Sequence, residues 1–179
     1  MPNITKQTQE YLFGALQRLL QKEDFMDITV SELTKVAGVS RMTFYRHYKN
    51  VYDLLSSNLQ QIMAEAPVYE HLEAKDYETA IIRYLQFIRQ HSDFINMLLL
   101  AKQQELLRDS IAKVMQSLMT AQHQSLPFNA HEMQYYLAYH SSGYASVIID
   151  WISSGQQDTC EQIAAFLYKN ISFQQDKKA

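Results

Sequence analysis

Between Thr29 and Lys49 the chain gathers seven side chains that could grip a polyanion: Thr29, Arg41, Thr43, Tyr45, Arg46, His47 and Lys49. Arginine can bond a guanine edge bidentately, and hydroxyl, imidazole and ammonium groups are ordinary donors to phosphate oxygens. Any surface helix can carry such residues, so composition alone does not decide for nucleic acid. What decides is whether the surrounding elements hold these side chains in a geometry that duplex DNA can accept.

Catalytic chemistry has weaker support. The stretch HEMQY starts at His131 like a zinc-protease motif, but Tyr135 stands where the second histidine ligand belongs. The six histidines are scattered, and no glycine-rich phosphate loop or nucleophile elbow occurs. Cys160 falls near an expected helix start, which can lower a thiol pKa, yet a small buried filler is the better role for a lone cysteine. The expectation is a protein that is not an enzyme and uses no cofactor or metal.

The positioning elements are legible around the cationic stretch. Thr29 with Glu32 makes a capping-box pattern that opens a short helix, and Gly38 suits the position just past its end. Ser40 caps a second short helix of about 41–48, and Asn50 with Asp53 caps a further helix running to about residue 66. Upstream, Tyr11, Leu12, Ala15, Leu16, Leu19 and Leu20 follow the spacing of an amphipathic helix over about 5–22. A helix, a glycine turn and a second short helix form the helix-turn-helix arrangement, in which the second helix enters the major groove. Phe44 is expected to pack inward with Leu33 and Val36, and Val39 to seal the turn.

The remaining chain reads as helix throughout. Periodicity predicts helices at about 76–91, 93–101, 104–123, 130–153 and 157–172, with breaks near His91, at Pro127 and at Ser153 to Gly155, and a frayed tail QQDKKA. Asn129 with Glu132 repeats the capping-box pattern. The fold class is all-α: a three-helix helix-turn-helix unit over residues 1–50 and a larger helical unit over 51–179. Charge supports that division, since residues 1–50 have a balance of +2 and residues 51–179 one of −5, for a net charge of −3. No apolar run approaches a membrane span and the N-terminus lacks secretion-signal character, so a cytoplasmic location and no membrane partner are expected.

The run TVSELTKVAGVSRMTFYRHYKNVYDLL, with the helix before it, resembles the DNA-binding domain of the TetR family of bacterial one-component regulators. The resemblance covers about residues 5–56, and the pattern AGVSxxTFYRHY is specific. It implies that Arg41 and Thr43 read bases or adjacent phosphates, that Tyr45 and His47 hold the backbone, and that Thr29 offers its hydroxyl and helix N-terminus to a phosphate. The family usually has a phosphate-clamping lysine at the first position of the fourth helix; here that position is Val51, with Lys49 two residues earlier. The tyrosine-rich helix with Gly143, Trp151 and Gly155 also resembles the C-terminal domain of regulators of the dihydroxyacetone-kinase operon type.

By the same resemblance, the larger unit senses a ligand and dimerises. Small residues Ser141, Ser142, Gly143, Ala145 and Ser146 permit close helix approach, so two helices at 130–153 and 157–172 could build a four-helix dimer seam. The interface candidates are Gly143, Tyr144, Val147, Ile148, Trp151, Ile163, Phe166 and Leu167; the alternative is that they bury within one chain. Tyr84, Phe87, Phe94, Met97, Leu98, Met115, Met119, Tyr135 and Tyr139 could line a pocket for a small apolar or amphipathic effector, or could be plain core. The expected function is a homodimeric repressor bound to a palindromic double-stranded operator and released by that effector. The alternative is a co-regulator whose core docks a partner protein.

Overall fold

A computed structural model describes residues 5–67, 76–122 and 128–172. Among these residues the secondary structure is helical, without strands, in the order α1 (Lys6–Leu20), α2 (Val30–Ala37), α3 (Arg41–Tyr45), α4 (Val51–Ala64), α5 (Tyr77–Gln90), α6 (Ser92–Leu100), α7 (Gln104–Gln122), α8 (Ala130–Ser153) and α9 (Cys160–Ser172). The expected break at Pro127 and the tail lie outside the described residues.

Local chemistry sets most helix starts. Thr29, Ser40 and Asn50 each accept a hydrogen bond from the backbone N–H three residues on, at 3.2, 3.0 and 2.7 Å. Such caps contribute about 0.5–2 kcal/mol each. Asn129 and Glu132 complete a reciprocal capping box at the start of α8. At Thr29 the hydroxyl half of the expected box is present, with Oγ1 accepting from the Glu32 N–H.

Two expected boundaries move. The last helix starts at Cys160 instead of residue 157, because Thr159 and Gln162 exchange bonds: the Thr159 N–H donates to Gln162 Oε1 at 2.7 Å and the Gln162 N–H to Thr159 Oγ1 at 3.2 Å. This is a further capping box, hidden in the sequence by the polar run before it. The recognition helix was expected to reach residue 48, yet α3 ends at Tyr45. The N–H groups of His47 and Tyr48 both turn back to the Phe44 carbonyl, and the tightened chain buries Tyr48.

Helix packing then assembles a continuous core running from Leu12 to Leu167. The α7 helix packs along α8, α5 along α9, and α1 on α2, while α4 reaches from the helix-turn-helix to α7. Cys160 is buried at the head of α9, and burial pushes its thiol up. Arg89 of α5 ties down the α8–α9 connection: its guanidinium donates to the carbonyls of Gln156 and Asp158 and lies 5.2 Å from the centre of the Trp151 ring.

Candidate nucleic-acid interface

Gly38 makes the turn possible. It takes the left-handed conformation, φ +67°, and its N–H bonds the Lys35 carbonyl while the Val39 N–H bonds that of Thr34 at 3.0 Å. This is the Schellman closure of a helix end, and a side-chain-bearing residue there costs about 1–2 kcal/mol for its Cβ. Ser40 then starts α3 at once, so the turn contains only Gly38 and Val39 between α2 and the next cap.

Phe44 anchors α3 from below. It is fully buried and meets the rings of Tyr45 and Tyr48, each with centroids 5.6 Å away. Leu33 shares that core, whereas Val36, expected beside it, is exposed. Val36 lies at the last turn of α2, where Arg18 of α1 crosses over and donates to its carbonyl, so the contact with α1 is made by backbone.

A buried polar node holds the far end. Asn58 of α4 accepts from the Gln9 amide of α1 and donates to Tyr48 Oη at 3.3 Å and to the Leu54 carbonyl at 2.6 Å. Burial, the largest influence on Tyr48, raises its pKa, so the hydroxyl stays protonated. One asparagine thereby joins α1, the end of the recognition segment and α4. Nothing in the amphipathic pattern singled it out.

Above this base the donor-bearing side chains face solvent. Arg41, Tyr45, Arg46 and Lys49 are exposed, and Thr43 and His47 are half-buried. Arg41 leans back over a long 3.4 Å bond to Ser31 Oγ, and Thr43 Oγ1 lies 2.9 Å from Ser40 Oγ. Thr29 stands exposed at the head of α2. Val51, at the position where the family usually has lysine, is buried, so no clamp can project there. Lys49 and Tyr52 are exposed on either side of it, beside the capping Asn50; Tyr52 went unnoticed because its spacing reads as plain amphipathic helix. Met42 is also exposed, to 77%.

The residues expected to line an effector pocket scatter. Tyr84, Phe87, Met97, Leu98, Met115 and Met119 are buried, while Phe94 packs edge-on against Phe13 of α1 at 5.2 Å, and Phe94 and Met97 share a cleft of about 190 Å³ between α1 and α6 with Gly14, Gln17 and Asp93. Tyr135 and Tyr139 are 69% and 77% exposed, away from the face of α8 that carries the buried Tyr136, Leu137, Ser141 and Tyr144. Met115 and Met119 do border a small cavity of about 10 Å³, with Tyr77, Ile81, Leu118, Tyr144 and Leu167. In that wall Tyr144 Oη is buried without a hydrogen-bond partner among the described residues, and burial raises its pKa. A separate open cleft of about 540 Å³ runs between α6 and the end of α8, past Ser92, Asn96, Leu99 and Ile152, and takes in none of the expected residues.

The expected seam residues also divide. Tyr144, Ile148, Trp151, Ile163 and Leu167 are buried within the chain. Trp151 instead pins the α8–α9 connection, its Nε1–H donating to the Asp158 carbonyl at 3.0 Å. Gly143 is exposed, Val147 half-buried and Phe166 54% exposed. Apolar spacing marks a buried face but does not say what buries it, and here α5 and α7 cover most of that face.

Residues 75–173, more than half of the chain, match the TetR-type family described as a transcriptional regulator C-terminal region. The chain belongs to the TetR family. This TetR-type regulator is a DNA-binding transcription factor by family, and its described residues contain no helix long and apolar enough to cross a membrane. It is 39% identical over 57 residues to an uncharacterized HTH-type transcriptional regulator, YxbF of Bacillus subtilis (strain 168). That match takes in 32% of this chain and only 14% of the curated relative. In fold, the regulator is similar to the dihydroxyacetone kinase operon activator DhaS, with a TM-score of 0.62 at 16% identity over 93% of this chain and 95% of the other. A TetR transcriptional regulator from Streptococcus agalactiae 2603V is similar to the same degree, TM-score 0.62 at 20% identity over 92% and 93% of the two chains.

Proposed function

We propose that this TetR-family chain is a homodimeric repressor that binds a palindromic operator and is released by a small apolar or amphipathic effector. The observation that carries the reading is α3: a short helix, capped by Ser40 and anchored by Phe44, whose outer side presents Arg41, Tyr45 and Arg46 to solvent. Arg41 and Thr43 read base edges. Tyr45, His47, Lys49 and Tyr52, with the N-terminus of α2 at Thr29, hold phosphates.

A single helix-turn-helix offers one short recognition helix, so useful specificity needs two copies on successive major grooves. The seam is best supplied by the outer face of α8, where Tyr135, Tyr139 and Gly143 recur every fourth residue and are all exposed. The effector site is best supported at Tyr144. An unpartnered buried hydroxyl costs about 1–3 kcal/mol, and an amphipathic ligand with an acceptor opposite it would recover that cost. The cavity now holds about one water-sized group. A ligand must therefore push Met115 and Met119 aside, which flexible methionines allow, and it then stabilises a conformation with altered spacing of the recognition helices.

Selection of random duplex DNA by the purified chain tests the reading. An inverted repeat with half-sites roughly 34–36 Å apart is expected, bound by a dimer. Tight binding of one half-site by a monomer would sink it. DhaS is an activator by name, so the sign is tested by transcription in vitro from a template bearing the selected site, where repression requires less transcript. Native mass spectrometry separates the alternative: a co-purified small molecule supports sensing, and a co-purified protein on the core supports a docking co-regulator.

A further inference from the structure

Among the exposed side chains of the recognition segment, Met42 has no hydrogen-bonding task. At about 100° per residue, Met42 lies two positions before the buried Phe44 and Arg46 two after it, so both stand at the crown of the outward face. Its polar neighbours lean elsewhere. Arg41 reaches back to Ser31 Oγ at 3.4 Å, and Thr43 Oγ1 lies 2.9 Å from Ser40 Oγ in the cap. Beside Arg46, the crown thus carries an unbranched thioether, 77% exposed. Exposure by itself would mean little, since Met26 in the α1–α2 connection is 85% exposed. Position distinguishes them: Met42 is carried by the helix that the docking geometry drives into the groove.

A thioether cannot donate to phosphate and accepts only weakly. The major groove offers it one apolar group, the C5-methyl of thymine. We infer that Met42 is a specificity-determining residue that contacts a thymine methyl in each half-site, next to the base pair read by Arg41. This rests on the reading of α3 as the major-groove helix. The thioether suits the task because its flexible side chain can settle on a methyl whose exact height varies with local groove shape.

The experiment replaces thymines of the selected operator, one position per half-site at a time, by deoxyuracil, which removes the methyl and keeps every hydrogen-bonding group. Binding of the full chain is measured by fluorescence anisotropy, for the native sequence and for Met42→Ala. At one thymine position the unsubstituted protein should lose about fourfold per half-site, the equivalent of about 0.8 kcal/mol for one buried methyl, while other thymines give no change. Met42→Ala should bind the thymine and deoxyuracil operators equally at that position, with its salt dependence unaltered because no charge is lost. The inference is overturned if no thymine position shows the loss, if the selected half-site contains no thymine, or if the loss persists in Met42→Ala. Failure of the selection to enrich any sequence would instead count against the major-groove reading of α3, so the two failures are distinguishable.

Discussion

Replacing Gly143 by leucine separates the seam from the core. A glycine inside a helix costs about 1 kcal/mol relative to alanine, so its retention in the middle of α8 calls for an offsetting contact. Among the described residues there is none: a Cβ at position 143 would have no atom of theirs within 4 Å, and the residue is exposed. Overpacking inside one protomer is therefore not available as an explanation, and Gly143→Leu should fold with an intact DNA-binding unit and no loss of helix stability. If the outer face of α8 is the seam, the added side chain meets the partner. Overpacking costs about 1–3 kcal/mol per contact, and an isologous interface contains the contact twice. The dimer dissociation constant should then rise by at least roughly thirtyfold, at about 2 kcal/mol in total, and operator affinity should fall with it. Sedimentation at several concentrations, beside a melting curve, reads both quantities. A Gly143→Leu protein that sediments as the native dimer would remove α8 from the seam.

The other expectations can be checked with the same preparations. Lys49→Ala should weaken binding to every duplex and reduce the salt slope by about 1 per half-site, whereas Arg41→Ala should relax one base pair by about 1–3 kcal/mol; titrations across salt and base-substituted operators would expose a reversal of these roles. Tyr144→Phe removes a buried hydroxyl without a partner and should raise the melting temperature of the ligand-free protein, by about 2–4 °C for each kcal/mol recovered, while blunting any effector response; a lower melt would mean that the hydroxyl is satisfied in solution. Asn58→Leu removes the acceptor of the Gln9 amide and one partner of the Tyr48 hydroxyl, so stability should fall by about 1–3 kcal/mol in chemical denaturation and operator affinity should drop with the dimer intact. An unchanged denaturation midpoint would show that the node does not hold α4.

Features built by neighbouring residues were legible in the sequence. Caps at Thr29, Ser40, Asn50 and Asn129 and the glycine closure at Gly38 depend on side chains within three or four positions, and each forms as its spacing implies. Burial of Phe44 followed from the same short-range logic. What sequence spacing could not supply is the identity of the covering surface. On α8 the apolar stripe through Tyr144, Ile148 and Trp151 reads equally well as seam or core, and the choice is made by α7 and by Arg89 of α5, both distant in sequence, together with the α8–α9 connection. Tyr135 and Tyr139, whose spacing reads as pocket wall or core, are exposed instead. Buried polar groups were the least legible, because Asn58 and Tyr144 interrupt no pattern; only their surroundings reveal one as a fully engaged node and the other as an unpaired hydroxyl.

Among the described residues, contacts along α6 and along α4 both join the core to the helix-turn-helix, and they differ in what they can transmit. Along α6, Phe94 meets Phe13, and beyond the helix Lys102 pairs with Asp24 at 2.6 Å, but both charged side chains are largely exposed. An exposed ion pair contributes about 0–1 kcal/mol and yields readily, so this contact can steady the DNA-binding unit without forcing it. The α4 route is stiffer. Its N-terminal half belongs to the helix-turn-helix core through Val51, Leu54 and Leu55, its middle holds the Asn58 node, and α4 packs on α7. The same α7 contributes Met115, Leu118 and Met119 to the cavity under Tyr144. Under the proposed function, a group that enlarged that cavity would press on α7 and α7 on α4, and α4 would carry the push to Tyr48 and the end of the recognition segment through one buried asparagine. Close-packed interiors move between discrete arrangements more readily than they deform. The small size of the cavity is then consistent with sensing: a site already large enough for its ligand would have nothing to push.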